Sequence, residues 1–353
     1  MFFQQETGEN AESATRFSSG NRSGQFRKGD CVMDCEAEKM QAEKRTAENA
    51  RGSHFDMEYR LKALNPELHR CFTETVSVLP YTLSRYRQHF PEYTDHSVLH
   101  SLTVIDYCNQ LIGDQIERLN ADELYILMMS CYLHDSGMGI SEEQYREFSK
   151  QIDFGDYFET HPDRNVQTVI RDFHQEFSAC FIRKYARLWQ IPSDAHLQAI
   201  IQVARGHRRT DLTDETEYPA EFPLPGGNTA CLPYLAAVIR LADEIDVTES
   251  RHPALLFDID SVTDQAQAVL HRMLLAVKSM EITPSAFVLY IDTADRKMPE
   301  QLWRMAEKIQ RTLDYCRETV RQRTPYIIPQ ESVRMIFKTE EPADSGFGDE
   351  KQL

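Results

Sequence analysis

His134 and Asp135 close the most apolar stretch of the chain, Leu124-Tyr-Ile-Leu-Met-Met-Ser-Cys-Tyr-Leu133. An ionised carboxylate there costs more than a core can return unless a cation or donor compensates it. Adjacent helical residues point about 100° apart, yet at a helix end one nitrogen and one oxygen can still converge on an ion. Taken alone, the pair also reads as a C-terminal His favoured by the helix dipole beside a solvated Asp. The same residue types recur at similar places. His100 begins a stripe through Val104 and Leu111, and His174 leads Ser178, Phe181 and Tyr185. His207 ends a stripe through Leu197, Ile200 and Ala204, and Asp243 follows Leu235 and Ile239 at steps of four, with Asp246 one turn on. Each alone is also readable as a polar core residue with satisfied hydrogen bonds. Five helical segments presenting His or Asp from apolar faces fit a shared metal centre better than independent accidents. Imidazole with carboxylate, and no thiolate, suits one or two divalent ions such as Mn, Fe, Mg, Co, Ni or Zn.

The elements that must position these groups are mostly helices. Pro66 suits the first turn of a helix running to about 78, and a short helix follows Pro80. Residues 96–112 carry Val98, Leu102, Ile105, Cys108 and Ile112 at steps of three and four. Residues 122–135 read as a central buried helix, ended by Gly137 and Gly139. Residues 141–170 are polar and mixed, as in an insertion or lid. Helices are expected at about 171–189, 194–206 and 231–247, with a Pro- and Gly-containing loop over 211–229. Then the pattern alternates over 276–282 and 287–292, a charged helix follows over 299–322, and 332–338 alternates again. The fold class is therefore mainly α with a small C-terminal α+β appendage. The expected organisation is a disordered tail over 1–53, a helical domain over 55–275, the appendage over 276–339 and a flexible acidic tail over 340–353.

Composition narrows the function. The chain has 353 residues, 41% hydrophobic and 27% charged, with a formal net charge of -17. That charge argues against a non-specific nucleic-acid binder. A small phosphorylated substrate remains open, because a bound ion can dominate the local field. No apolar run reaches about 18 residues, so no membrane span is expected, and the N-terminus lacks a signal-peptide pattern. Cys108, Cys131, Cys180 and Cys231 sit in apolar helical stretches, which suits a reducing cytoplasm. Cys31 and Cys35 have no nearby second Cys or His pair to make a zinc site.

Four strings carry a resemblance. They are Tyr93-Thr-Asp-His-(three residues)-His100-Ser, Tyr132-Leu-His-Asp-Ser-Gly-Met138, Arg205-Gly-His-Arg208 and Arg240-Leu-Ala-Asp-Glu-Ile-Asp246. With His174-Gln-Glu-Phe-Ser-Ala179 in order between them, they resemble the HD-CE branch of the HD phosphohydrolase superfamily. The resemblance covers about residues 80–290, and reaches 338 with the appendage. It implies an HD-type helical bundle that hydrolyses a phosphate ester or anhydride. It implies His100, His134, Asp135 and Asp243 as ligands of a first metal, with Asp135 bridging. His174 and His207 then complete a second site, and His134 with Asp135 forms the catalytic pair. The branch often precedes a chaperone-type ATPase module, so such an ATPase is an implied protein partner.

The implied chemistry is a metal-activated water attacking phosphorus, since coordination lowers the pKa of water toward about 7. The substrate expected is a nucleotide or similar small phosphate. Arg205, Arg208, Arg209 and Arg251 lie near the ligands in sequence, and Arg208 and Arg251 are candidate substrate contacts. His96 reads equally as a ligand, a substrate contact or a cap. No Gly-Tyr-Pro triplet or Glu-Asp pair follows the HD-family pattern, which disfavours cyclic-dinucleotide and alarmone substrates. The alternative function is a catalytically weak HD module that binds nucleotide or a protein partner and signals.

Overall fold

The computed structural model describes residues 56–251, 262–295, 298–338 and 349–352. The tail expected over 1–53 lies outside the described residues, as does 340–348. The chain begins with α1 (56–64), α2 (Pro66–Val76), α3 (Leu79–Leu83), α4 (Val98–Ile112) and α5 (Ala121–Leu133). It continues through α6 (Glu142–Phe148), α7 (Tyr157–Thr160), α8 (Val166–Asp172), α9 (His174–Tyr185) and α10 (Asp194–Gly206). A two-stranded hairpin, β1 (Phe222–Pro223) and β2 (Thr229–Ala230), precedes α11 (Leu232–Glu244). The C-terminal part holds α12 (Gln265–Ala276), β3 (Val277–Ile282), β4 (Ala286–Ile291), α13 (Met298–Arg323), β5 (Ser332–Phe337) and β6 (Asp349–Gln352).

Two helices form the axis of the bundle, and their length sets where the site falls. α5 is buried from Asp122 to Leu133, and α11 from Leu232 to Ala242. Each has 13 residues, or about 20 Å at 1.5 Å per residue. Their starts are tied by one carboxylate. Glu123 accepts from the Asn120 amide in a capping box and from the Cys231 amide just before α11. Both helices therefore end on the same side of the bundle, where Asp135, two residues past α5, and Asp243, in the last turn of α11, lie 3.5 and 3.3 Å from His100 Nε2. α4, α9 and α10 pack around this pair. At Gly206 an added Cβ would lie 2.5 Å from the Ala236 Cβ, so α10 lies close against α11.

The appendage shares this core. β3, β4, β5 and β6 form one sheet in that order, with β4 and β5 parallel and the other pairs antiparallel. The parallel pair needs a crossover, and α13 supplies it. Leu302, Ala306, Ile309, Leu313, Cys316 and Val320 repeat at steps of four and three along α13, and this buried stripe packs on α11. Residues 349–352 run as a strand within the segment expected to be a flexible tail.

Two expectations change. The single helix expected over 171–189 is broken at Phe173, whose φ of -120° and ψ of 20° interrupt the spiral, and α9 ends at Tyr185. His174 thereby becomes the first residue of a helix. Gly137 and Gly139 do not cap α5 through a left-handed turn, because neither has a positive φ. The turn over Ser136–Gly139 is 3-10, and Gly137 is there for closeness. A Cβ on it would lie 2.5 Å from both the His174 carbonyl oxygen and the Ser178 nitrogen. Gly137→Ala must push α9 away from the end of α5. A loss of roughly 1–3 kcal/mol is expected, read as a melting temperature lower by roughly 2–10 °C. A variant melting like wild type would show that α9 yields there freely.

Candidate metal centre

Helix ends bring the chemistry together. His134 follows the last residue of α5, His207 follows α10, Asp243 lies in the last turn of α11, and His174 opens α9. His100 sits in the first turn of α4. Three of these helices, α5, α10 and α11, end at the centre, where their C-terminal partial charge favours a cation.

Every imidazole is held by its Nδ1. His134 donates to the Cys131 carbonyl at 2.8 Å, His174 to the Arg171 carbonyl at 2.6 Å and His207 to the Ala204 carbonyl at 2.5 Å. His100 donates to Asp246 Oδ2 at 2.7 Å, and His96 to the Thr94 carbonyl at 2.7 Å. A carbonyl or carboxylate can only accept, so the proton belongs on Nδ1 and the Nε2 lone pair faces inward. The inward nitrogens then meet one another. His100 Nε2 lies 3.2 Å from His134 Nε2, and His174 Nε2 lies 2.9 Å from His207 Nε2. Opposed lone pairs at such distances call for a cation between them, as expected for a metal centre with outer hydrogen bonds fixing each ring.

Asp135 joins the two pairs. Its Oδ2 lies 3.5 Å from His100 Nε2 and 3.3 Å from His134 Nε2. Its Oδ1 lies 3.4 Å from His174 Nε2 and 3.8 Å from His207 Nε2. Asp243 Oδ1 lies 3.3 Å from His100 Nε2. Two groups able to hold an ion result: His100, His134 and Asp243, and Asp135, His174 and His207, with the ligand atoms of each group within 4.8 Å of one another. His96 stands further off, its Nε2 3.9 Å from Asp135 Oδ2.

The electrostatics favour ligand-ready forms at His174, His207, Asp135 and Asp243, whereas His100 keeps a proton that an ion would have to displace. Burial pushes His174 down to about 4 and His96 to about 3, against the pull of Asp135. Burial, then the neighbouring His134 and His174, put His207 well below the ordinary range. Burial and Arg251 oppose a proton on His100, but hydrogen bonds to Asp135, Asp243 and Asp246 outweigh them and raise it to about 10. Burial alone would raise Asp135 and Asp243. The surrounding imidazoles prevail and hold both well below the usual carboxylate range.

A cleft of about 500 Å³ opens over the centre. Asp135, His174, Asp243 and His96 form its floor, and Leu270, Met273 and Met305 from α12 and α13 give it an apolar wall. Of the two candidate arginines, Arg208 lies at the cleft, half-buried. Arg251 also lines it, but its guanidinium donates to the Asp95 carbonyl and sits 3.4 Å from Asp246 Oδ2. Arg205 is engaged by Glu176 and Glu217.

Two supporting residues were not singled out as site residues from sequence. Asp246 orients His100, and the signal for it was its place three residues after Asp243. Ser178 donates to the His134 carbonyl at 2.5 Å and accepts from the Gly137 amide at 2.8 Å, joining α9 to the His134–Asp135 turn. Its signal was its place one turn after His174 on the same face.

Helix ends that bring two imidazole–carboxylate groups to the floor of one cleft define an HD-type helical domain with a centre fit to hold metal. The model of the HD-CE family matches residues 90–326. That span is more than half of the chain, and the protein belongs to the HD-CE family. The match runs through α13, so the appendage helix falls within it. Searches of curated proteins and of solved structures gave no match. Among the described residues, no helix is long and apolar enough to cross a membrane.

Proposed function

We propose that the protein is a metal-dependent phosphohydrolase acting on a nucleotide or similar small phosphate. The observation that carries this reading is the division of Asp135, whose two oxygens face two different imidazole pairs. A carboxylate placed this way suits a bridge between two ions. In this reading His100, His134 and Asp243 hold the first ion with Asp135, and His174 and His207 hold the second. Divalent ions bound there would supply an activated water and neutralise charge developing on a phosphoryl group.

The chain's own residues do the rest. Asp246 keeps the proton of His100 on Nδ1, so that Nε2 is free as a ligand. Arg251 holds Asp246 and the Asp95 carbonyl in place. Arg208, beside the floor, meets the phosphate oxygens. The apolar wall of Leu270, Met273 and Met305 suits a base or another flat apolar group and keeps water from that side. His134 is wholly buried, so its part is to hold metal rather than to exchange a proton with substrate.

Elemental analysis of protein purified without chelator is the first test. One to two transition-metal ions per chain are expected. Protein that holds none, and takes up neither Mn nor Fe when these are added, would overturn the reading. A panel of nucleotides and phosphate esters then tests hydrolysis, and metal-loaded protein inactive on all of them would leave binding without catalysis.

A further inference from the structure

A second cavity, of about 180 Å³, adjoins the cleft, and the two share Arg171, His174 and Arg208 in their walls. Arg209, Gln175 and Asp172 complete it. Three guanidinium groups thus gather beside one imidazole of the centre. None of the three has a carboxylate partner among the described residues, although each lines the cavity wall. The protein carries a formal charge of -17, so acceptors are plentiful. Cations nearby are paired: Arg205 with Glu176 and Glu217, Arg304 with Glu300, Lys308 with Glu244 and Arg311 with Glu307. Among the described residues, no carboxylate lies within ion-pair distance of Arg171, Arg208 or Arg209. The acid in the cavity wall is Asp172, and its Oδ2 already accepts from the Tyr157 hydroxyl at 2.5 Å. Arg171 is held over the Tyr93 ring, 5.1 Å from its centre, at the seam between the two cavities.

From this geometry we infer that Arg171, Arg208 and Arg209 form a subsite for phosphate beyond the one placed over the metal centre. The ligand class is a polyphosphate, such as a nucleoside diphosphate or triphosphate, rather than a monophosphate. The shared wall sets the order of the groups. A phosphate over Asp135 and His174 has its neighbour within reach of Arg171 and Arg208, and a further one enters the cavity lined by Arg209. Charge-assisted hydrogen bonds of this kind are the strong ones, and the planar guanidinium matches phosphate oxygens in pairs. The inference rests on the hydrolase reading for its substrate, but not for the presence of the anion subsite.

The test uses the full chain with Mg²⁺ in excess of added phosphate, and compares inorganic tripolyphosphate with orthophosphate by calorimetry. Wild type is expected to bind tripolyphosphate at least about tenfold more tightly. Arg171→Ala and Arg209→Ala are each expected to reduce that ratio by about tenfold, and Arg209→Lys, which keeps the charge but not the paired contact, to keep part of it. Melting temperature and metal content on the same samples show that each variant is folded. Equal affinity for the two anions in wild type, or an unchanged ratio in both Ala variants, overturns the subsite. So does a 5′-monophosphorylated oligonucleotide that binds as tightly as tripolyphosphate, because the basic groove would then serve nucleic acid. The two readings fail separately. A preference that the Ala variants lose, in a protein that hydrolyses nothing, keeps the subsite and sinks the hydrolase. Hydrolysis indifferent to phosphate number keeps the hydrolase and sinks the subsite.

Discussion

Asp135→Ala is expected to lower hydrolysis at least about a hundredfold, to lower metal content, and to leave the helical fold intact. The size follows from position. Removing an outer hydrogen-bond partner of a metal ligand typically costs about 10–100-fold, and in the proposed reading Asp135 would be a ligand of both ions. Its two oxygens face the two imidazole pairs at 3.3–3.5 Å on one side and from 3.4 Å on the other. Among the described residues no other carboxylate is placed to take over: Asp243 approaches from the His100 side, and Asp246 is bound to His100 Nδ1. The fold should survive because the neighbouring turn is held by other groups. Ser178 bonds the His134 carbonyl and the Gly137 amide, and neither contact uses the Asp135 side chain. Circular dichroism, elemental analysis and turnover on one preparation read all three effects. Wild-type turnover in Asp135→Ala would make the doublet structural and remove the basis of the proposed function.

The parts of this site that are visible in the sequence are those where a polar residue interrupts an apolar period. His207 and Asp243 stand out because Ile200–Ala204 and Leu235–Ile239 run straight up to them. Asp246 is visible one turn after Asp243, but the role it plays is not. Its partner is His100, 146 residues away in the chain, and no local spacing reports such a pairing. Gly137 shows the opposite case, in which the position matters but the reason differs. A glycine after a helix suggests a left-handed cap, yet here the requirement is the backbone of α9 lying against it. The break at Phe173 was hidden because 171–185 keeps its helical period across the interruption. The walls of the cleft were hidden for a topological reason. Alternation after 276 marks a separate α+β layer, but nothing local says that α13 returns over α11. That return brings Gln301, Arg304, Met305 and Lys308 to the cleft, and so makes the appendage part of the site.

His174→Ala and His207→Ala are each expected to lower metal content by about one ion per chain while the other position stays filled. The two histidines form one side of the centre. Their Nε2 atoms are 2.9 Å apart, and they share Asp135 Oδ1. Removing either leaves one imidazole and one carboxylate oxygen, too few protein ligands for a transition metal in a site of this type. The group of His100, His134 and Asp243 is untouched by the change and keeps Asp135 Oδ2 beside it. Three outcomes are separable on the same two proteins. If the histidines contact substrate instead, metal content stays at the wild-type value and only the Michaelis constant or turnover moves. If they are core residues, melting temperature falls with neither effect, because a truncated buried ring leaves a cavity and an unpaired carbonyl at Arg171 or Ala204. The geometry favours loss of an ion. Both rings spend Nδ1 on a backbone carbonyl and aim Nε2 at each other, and burial holds His174 neutral down to about 4 and puts His207 well below the ordinary imidazole range. Two neutral lone pairs facing across 2.9 Å have no proton between them to share. A stoichiometry unchanged in both variants would refute the dinuclear centre and leave Asp135 serving a single ion.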